Sequence, residues 1–169
     1  MISMDRSYFD TNLIEQWLSD CQDTHDYDCN ETVAPMSLPK EFRLIYTICR
    51  CVIIPPDVEH YDFVTLGYVW SSASGDNDIQ LQLEILDLLS HPGSLSAREI
   101  PPLIDDAIIL CSSLGQRYLW VDMLCIIQDS EILNTTKFTL WMLSIIWQFF
   151  TIVALTNGID AIGLPGSPN

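Results

Sequence analysis

Positive charge is scarce in this sequence. Seven lysines and arginines face 23 aspartates and glutamates, giving a formal charge of −16 over 169 residues. A surface this acidic repels phosphate backbones and anionic headgroups, so neither nucleic acid nor a membrane is an expected partner. The chain begins MISMDRSYFDTNL and so lacks the charged-then-apolar leader of a secreted protein. The six cysteines (Cys21, Cys29, Cys49, Cys51, Cys111 and Cys125) are therefore expected as reduced thiols of a cytoplasmic protein rather than as a disulfide framework. GxGxxG, a P-loop lysine, HExxH and a Ser/His/Asp order are all missing. So are internal repeats and low-complexity tracts. A composition that is 49% apolar and 18% charged is too hydrophobic for disorder throughout and suits one domain with a sizeable core.

Charge of either sign is absent between Lys137 and Asp160. Residues 138–155, FTLWMLSIIWQFFTIVAL, are long enough to span a bilayer. Gln148, Ser144 and two threonines argue against a span, and the second half is strand-like in composition. The expectation is a buried helix over about 138–149 and a buried strand over 151–155. A membrane-anchored small protein is the alternative.

Upstream, residues 5–20 read as a short helix, and the acidic, polar stretch 20–41 reads as a connector ending in Pro35 and Pro39. The leader is thus 1–41 and the main domain 42–169. Residues 42–46 and 51–54 are expected as the two short strands of a hairpin, the second stopped by Pro55-Pro56. A third strand covers 63–70, a turn-rich loop 71–78, and a helix 79–89 before His91-Pro92-Gly93. Residues 102–114 form the clearest helix, with Pro102 in its first turn, Asp105 and Asp106 at its positive end and Gly115 as its stop. A strand over 118–124 follows. Strand, helix, strand, helix, strand implies an α/β fold with a parallel sheet and flanking helices. Ligands gather at the carboxyl ends of such strands, where Trp70, Cys125 and Asn157 fall.

The stretch Tyr118 to Asp129, YLWVDMLCIIQD, carries the leading chemical candidates. Asp122 lies inside an apolar run, where an unpaired buried carboxylate would cost several kcal/mol. Either it works in a site at the strand mouth, or it caps a turn or pairs with Arg117 or a backbone amide. Cys125, Gln128 and Asp129 complete that group. With no histidine after His91, Cys125 reads more readily as a buried, inert thiol than as a nucleophile. Ser71 opens SSASG, a loop whose backbone amides could cradle a phosphate, although a solvated loop is the default. Cys21, His25 and Cys29 recur every four residues and are zinc ligands by type, but no fourth ligand is evident.

These motifs resemble the fungal heterokaryon incompatibility (HET) domain family. Its members show a strand like LSYVWG, a helix after a proline and YLWIDSLCIIQD. Here these read Thr65-Leu-Gly-Tyr-Val-Trp70, Pro102-Leu-Ile-Asp-Asp-Ala-Ile108 and Tyr118 to Asp129. Met142, Thr151-Ile-Val-Ala154 and Gly163-Leu-Pro-Gly166 resemble the family's later helix, strand and exit. Trp17-Leu18, Cys21, His25 and Cys29 resemble a leader found in many members.

The resemblance implies a TIR-like, flavodoxin-like domain in fungal non-self recognition and programmed cell death. Signalling would run through self-assembly or through other HET-domain or death-signalling proteins. Some TIR relatives cleave NAD with a glutamate, which implies NAD as a possible substrate and Asp122 or Glu131 as the carboxylate. This chain departs from the family at Gly67, where serine is usual, at Ser71, where glycine is usual, and at Phe138, where glutamate is usual. It ends at Asn169, soon after GLPG, so the resemblance also allows an incomplete, divergent or non-functional copy.

Overall fold

The computed structural model describes residues 10–24, 42–55, 62–69, 79–129, 149–154 and 164. Helix α1, Thr11–Thr24, begins where the Asp10 carboxylate accepts the amide of Leu13 at 3.1 Å, an N-cap that satisfies an otherwise orphan donor. The helix runs four residues into the stretch expected as connector, and Ile14 packs it against the core.

Five strands form one sheet in the order β2-β1-β4-β3-β5. Strands β1 (Leu44–Tyr46) and β2 (Cys51–Ile53) make the expected hairpin, pairing Leu44 with Ile53 and Tyr46 with Cys51. Strand β3 (Val64–Tyr68) lies between β4 (Tyr118–Trp120) and β5 (Phe150–Ala154), both parallel to it. The parallel arrangement therefore holds for β4-β3-β5. The whole sheet is mixed, because β1 runs antiparallel to β4 through the pairs Ile45–Leu119 and Tyr46–Tyr118. A four-residue turn reverses β1 into β2, so the hairpin cannot follow the direction set by the crossovers.

The expected strand over 118–124 stops at Trp120. The chain then turns through α4 (Asp122–Cys125), whose amides at Leu124 and Cys125 return to the Val121 carbonyl at 3.1 and 2.7 Å. The expected helix over 79–89 is also mostly something else. Leu81 donates to the Met123 carbonyl at 2.9 Å and accepts from the Gln128 amide at 2.8 Å, so residues 79–82 run extended beside 123–128. A 3-10 turn at Leu83–Ile85 follows, and only α2 (Leu86–Leu89) is α-helical. Long-range pairing outweighs the helical spacing of these leucines.

Helix α3 (Pro102–Ser113) matches its expected span. It ends in a Schellman motif, with Gln116 N–H on the Cys111 carbonyl at 2.8 Å and Gly115 N–H on the Ser112 carbonyl at 3.1 Å. Gly115 supplies the φ of 70° that this closure requires. The buried face carries Leu103, Ile104, Ala107, Ile108, Leu110 and Cys111, which join Leu44, Ile45, Val64, Leu66 and Leu119 in one core.

No helix among the described residues is long and apolar enough to cross a membrane. The apolar run 138–155 is not one continuous helix, since 150–154 is β5, paired along its length with β3. Residues 130–148, with the helix expected there, lie outside the described residues.

Asp106 is only 4% exposed, although it sits on α3. Its Oδ2 accepts the amide of Leu164 at 2.7 Å, tying that residue to the helix. A carboxylate so buried is kept by such a partner. Replacing Asp106 by alanine leaves the Leu164 amide unsatisfied, which costs about 1–3 kcal/mol. Urea unfolding should show that loss, and hydrogen exchange at Leu164 should quicken with it. An unchanged midpoint would show that the bond holds nothing.

Candidate functional site

Tyr68 closes β3, and Asp122 lies two residues beyond the end of β4, so the parallel register brings both to the same end of the sheet. The Tyr68 hydroxyl donates to Asp122 Oδ1 at 2.6 Å. The Met123 amide donates to the same oxygen at 2.7 Å. Asp122 thus sits at the strand mouth and is only half-buried, with partners from two elements. Burial first, and then the neighbouring Asp122 charge, drives the Tyr68 hydroxyl well above the ordinary tyrosine range. The phenol stays protonated and acts as a donor.

Gln128 closes the turn behind Asp122. Its Nε2 donates to the carbonyls of Asp122 at 2.9 Å and Ile126 at 3.0 Å. Asp129 reaches outward and accepts the Leu83 amide at 3.1 Å, which caps the 3-10 turn from a distant part of the chain. Asp122, Gln128 and Asp129 therefore form one hydrogen-bonded clasp.

Cys125 lies beneath the clasp and is 1% exposed. Its sulfur accepts the Val121 amide at 3.4 Å, and burial pushes the thiol up to about 12. A protonated, enclosed thiol is a packing group at neutral pH. Trp70, Ser71 and Glu131 lie outside the described residues, as do His25 and Cys29. Cys21 is half-buried in the last turn of α1. Among the described residues, no three His, Cys, Asp or Glu side chains come together as a metal site.

Two residues at this end of the sheet escaped the sequence reading. Tyr68 stood inside a strand motif, with no sequence signal for its partner 54 positions away. Arg43 precedes β1, and extending the β1–β4 register by two residues sets it beside Val121. It is 7% exposed and lines an open cleft of about 300 Å³ with Val52, Ile54, Leu86, Asp87 and Ser90. An arginine inside the apolar run Phe42-Arg43-Leu44-Ile45 was the available signal. β2 also ends here, so four of the five strands point their carboxyl ends toward this edge.

A double-mutant cycle with Tyr68→Phe and Asp122→Ala should give a coupling of about 1.5–3 kcal/mol, as for a hydrogen bond to a charged group. Strict additivity would show that the pair is incidental. Cys111 is likewise pushed up to about 12 by burial. Both thiols hold their protons more tightly folded than unfolded, where the ordinary value is 9.0. Their contribution is present in full below about pH 9 and is lost as pH rises toward about 12. Stability measured in urea should stay level up to pH 9 and then fall steeply.

The family model described as "Heterokaryon incompatibility protein (HET)" matches residues 63–163, more than half of the chain. The match takes in β3, α3, the whole Tyr118–Asp129 clasp and β5. No curated protein and no solved structure matches the chain. The clasp and the parallel strands beneath it are thus parts of a shared domain, and the chain belongs to the heterokaryon incompatibility (HET) family.

Proposed function

We propose that this chain acts in fungal non-self recognition and programmed cell death, in the cytoplasm, by assembling with copies of itself or with other HET-domain or death-signalling proteins. Membership of the HET family carries the reading. The three parallel strands β4-β3-β5 support a TIR-like, flavodoxin-like arrangement of the signalling domain. The edge strand β5 supports assembly. Among the described residues it pairs only with β3, and Val153 on it is 64% exposed. An edge strand with an apolar side chain in solvent is a template for another chain.

A second reading is NAD hydrolysis at the carboxyl edge, with Asp122 or Glu131 as the carboxylate. The place of Asp122 at a strand mouth favours it. The two donors already on Asp122 Oδ1 favour a holding role instead. Assembly is therefore the preferred reading.

Induced expression in filamentous hyphae should arrest growth and admit a vital dye, and Val153→Lys should weaken both while leaving the circular dichroism spectrum unchanged. Hyphae that grow normally would turn the reading toward a non-functional copy. Purified protein incubated with NAD should release no nicotinamide, even when concentrated. Release that disappears in Asp122→Asn would establish the enzymatic reading in its place.

A further inference from the structure

The turn between β1 and β2 holds an arginine in a conformation that suits glycine. Arg50 has φ of 47°, the only positive φ outside glycine among the described residues. The left-handed region is unfavourable for a residue that carries a Cβ. Long-range contacts hold it there. The Arg50 carbonyl accepts the Leu95 amide at 3.0 Å, the Cys49 carbonyl accepts the Gly93 amide at 2.7 Å, and the Arg50 guanidinium pairs with Asp105 in the first turn of α3.

A cysteine flanks this residue on each side. Cys49 is half-buried and accessible, Cys51 is 3% exposed, and both are free thiols. In an extended strand, side chains two residues apart share a face but stand too far apart to bond. A left-handed residue between them curls the backbone and draws their Cα atoms toward the separation a disulfide bridges. Burial first, and then the neighbouring Cys49, raises the Cys51 thiol.

We propose that Cys49 and Cys51 form a redox-active dithiol that a peroxide converts to a disulfide. The Cys49 thiolate attacks one peroxide oxygen, the O–O bond breaks, and Cys49 becomes a sulfenic acid as the other oxygen leaves as water. The Cys51 thiol then attacks the Cys49 sulfur, and its proton leaves with the sulfenic oxygen as a second water. Two thiols are oxidised and one peroxide is reduced. A ring closed over a single intervening residue is strained, so thiols reopen it readily, as befits a reversible mark rather than a staple. Closing it also pulls on Arg50, and through Arg50 on the start of α3. The inference does not depend on the assembly reading.

Trypsin provides a direct test. Cleavage after Arg43, Arg50 and Arg98 puts Cys49 on peptide 44–50 and Cys51 on peptide 51–98, so only a disulfide keeps the two together. The native chain is treated with hydrogen peroxide at equal concentration, alkylated, denatured, alkylated again and digested without reductant. The linked pair should appear, vanish with dithiothreitol, and be absent from Cys49→Ser and Cys51→Ser. Cys111 and Cys125 should take up label only after denaturation. The proposal is overturned if the two peptides separate with both cysteines alkylated, if Cys49 is recovered as sulfinic acid, or if it is bonded to Cys21 or to a second chain.

Discussion

The carboxyl edge of this sheet depends on the hydrogen bond from Tyr68 to Asp122. It ties the end of β3 to the residue at which the chain leaves β4. The direction of α4, and hence the positions of Gln128 and Asp129, follow from that anchor. Leu81 is held between the Met123 carbonyl and the Gln128 amide, and Asp129 caps the 3-10 turn at Leu83. Through those contacts the clasp sets where α2 lies, and therefore where one wall of the Arg43 cleft stands. One short bond between two strand ends thus organises segments separated by some sixty residues of sequence. The raised affinity of Tyr68 for its proton carries that bond into alkaline pH, where an ordinary phenol would ionise and lose the donor.

The antiparallel hairpin is the other organising constraint. It lies before the residues matched to the family, yet β1 sits between β2 and β4, inside the sheet. Leu44, Ile45 and Val52 are as deeply buried as the central strand. The hairpin is also fastened at its turn. Thr47 donates from its backbone and its hydroxyl to the Arg117 carbonyl at 2.9 and 3.1 Å, and Arg50 pairs with Asp105. Both ends of α3 are therefore connected to the β1–β2 turn, one through Asp105 and the other through the loop that follows Gly115. A change at Arg50 reaches the helix that covers the core.

Residues whose partners are near in sequence were legible. Gly115 and Pro102 mark the bounds of α3, and Pro55 with the flanking apolar pairs marks the hairpin. The strand-like composition of 151–155 was legible too, and β5 spans 150–154, but only Ala154 on it is buried where a buried strand was expected. Residues whose fate depends on distant partners were not legible. Apart from the half-buried Asp122, the run Leu119 to Ile127 is buried, so hydropathy gives no sign that β4 ends at Trp120. The leucines of 79–89 have helical spacing, but the backbone of Leu81 is claimed by residues more than forty positions away. Asp122 was recognised as needing a partner, since a carboxylate among apolar residues demands one. Nothing in the sequence named that partner as a tyrosine at the end of another strand.

The same geometry explains why YLWVDMLCIIQD identifies a domain more sharply than it identifies a chemistry. Leu119, Trp120 and Val121 fill the core. Asp122 accepts Tyr68 and starts the turn, and the Cys125 sulfur receives the Val121 amide inside it. Ile126 and Ile127 are buried after it, Gln128 binds two of its carbonyls, and Asp129 caps a distant 3-10 turn. Each polar residue from Asp122 to Asp129 is thus accounted for by a hydrogen bond that shapes this edge. A motif can be highly specified because a strand must end, turn and be locked within twelve residues. Its carboxylate then needs no substrate to explain it.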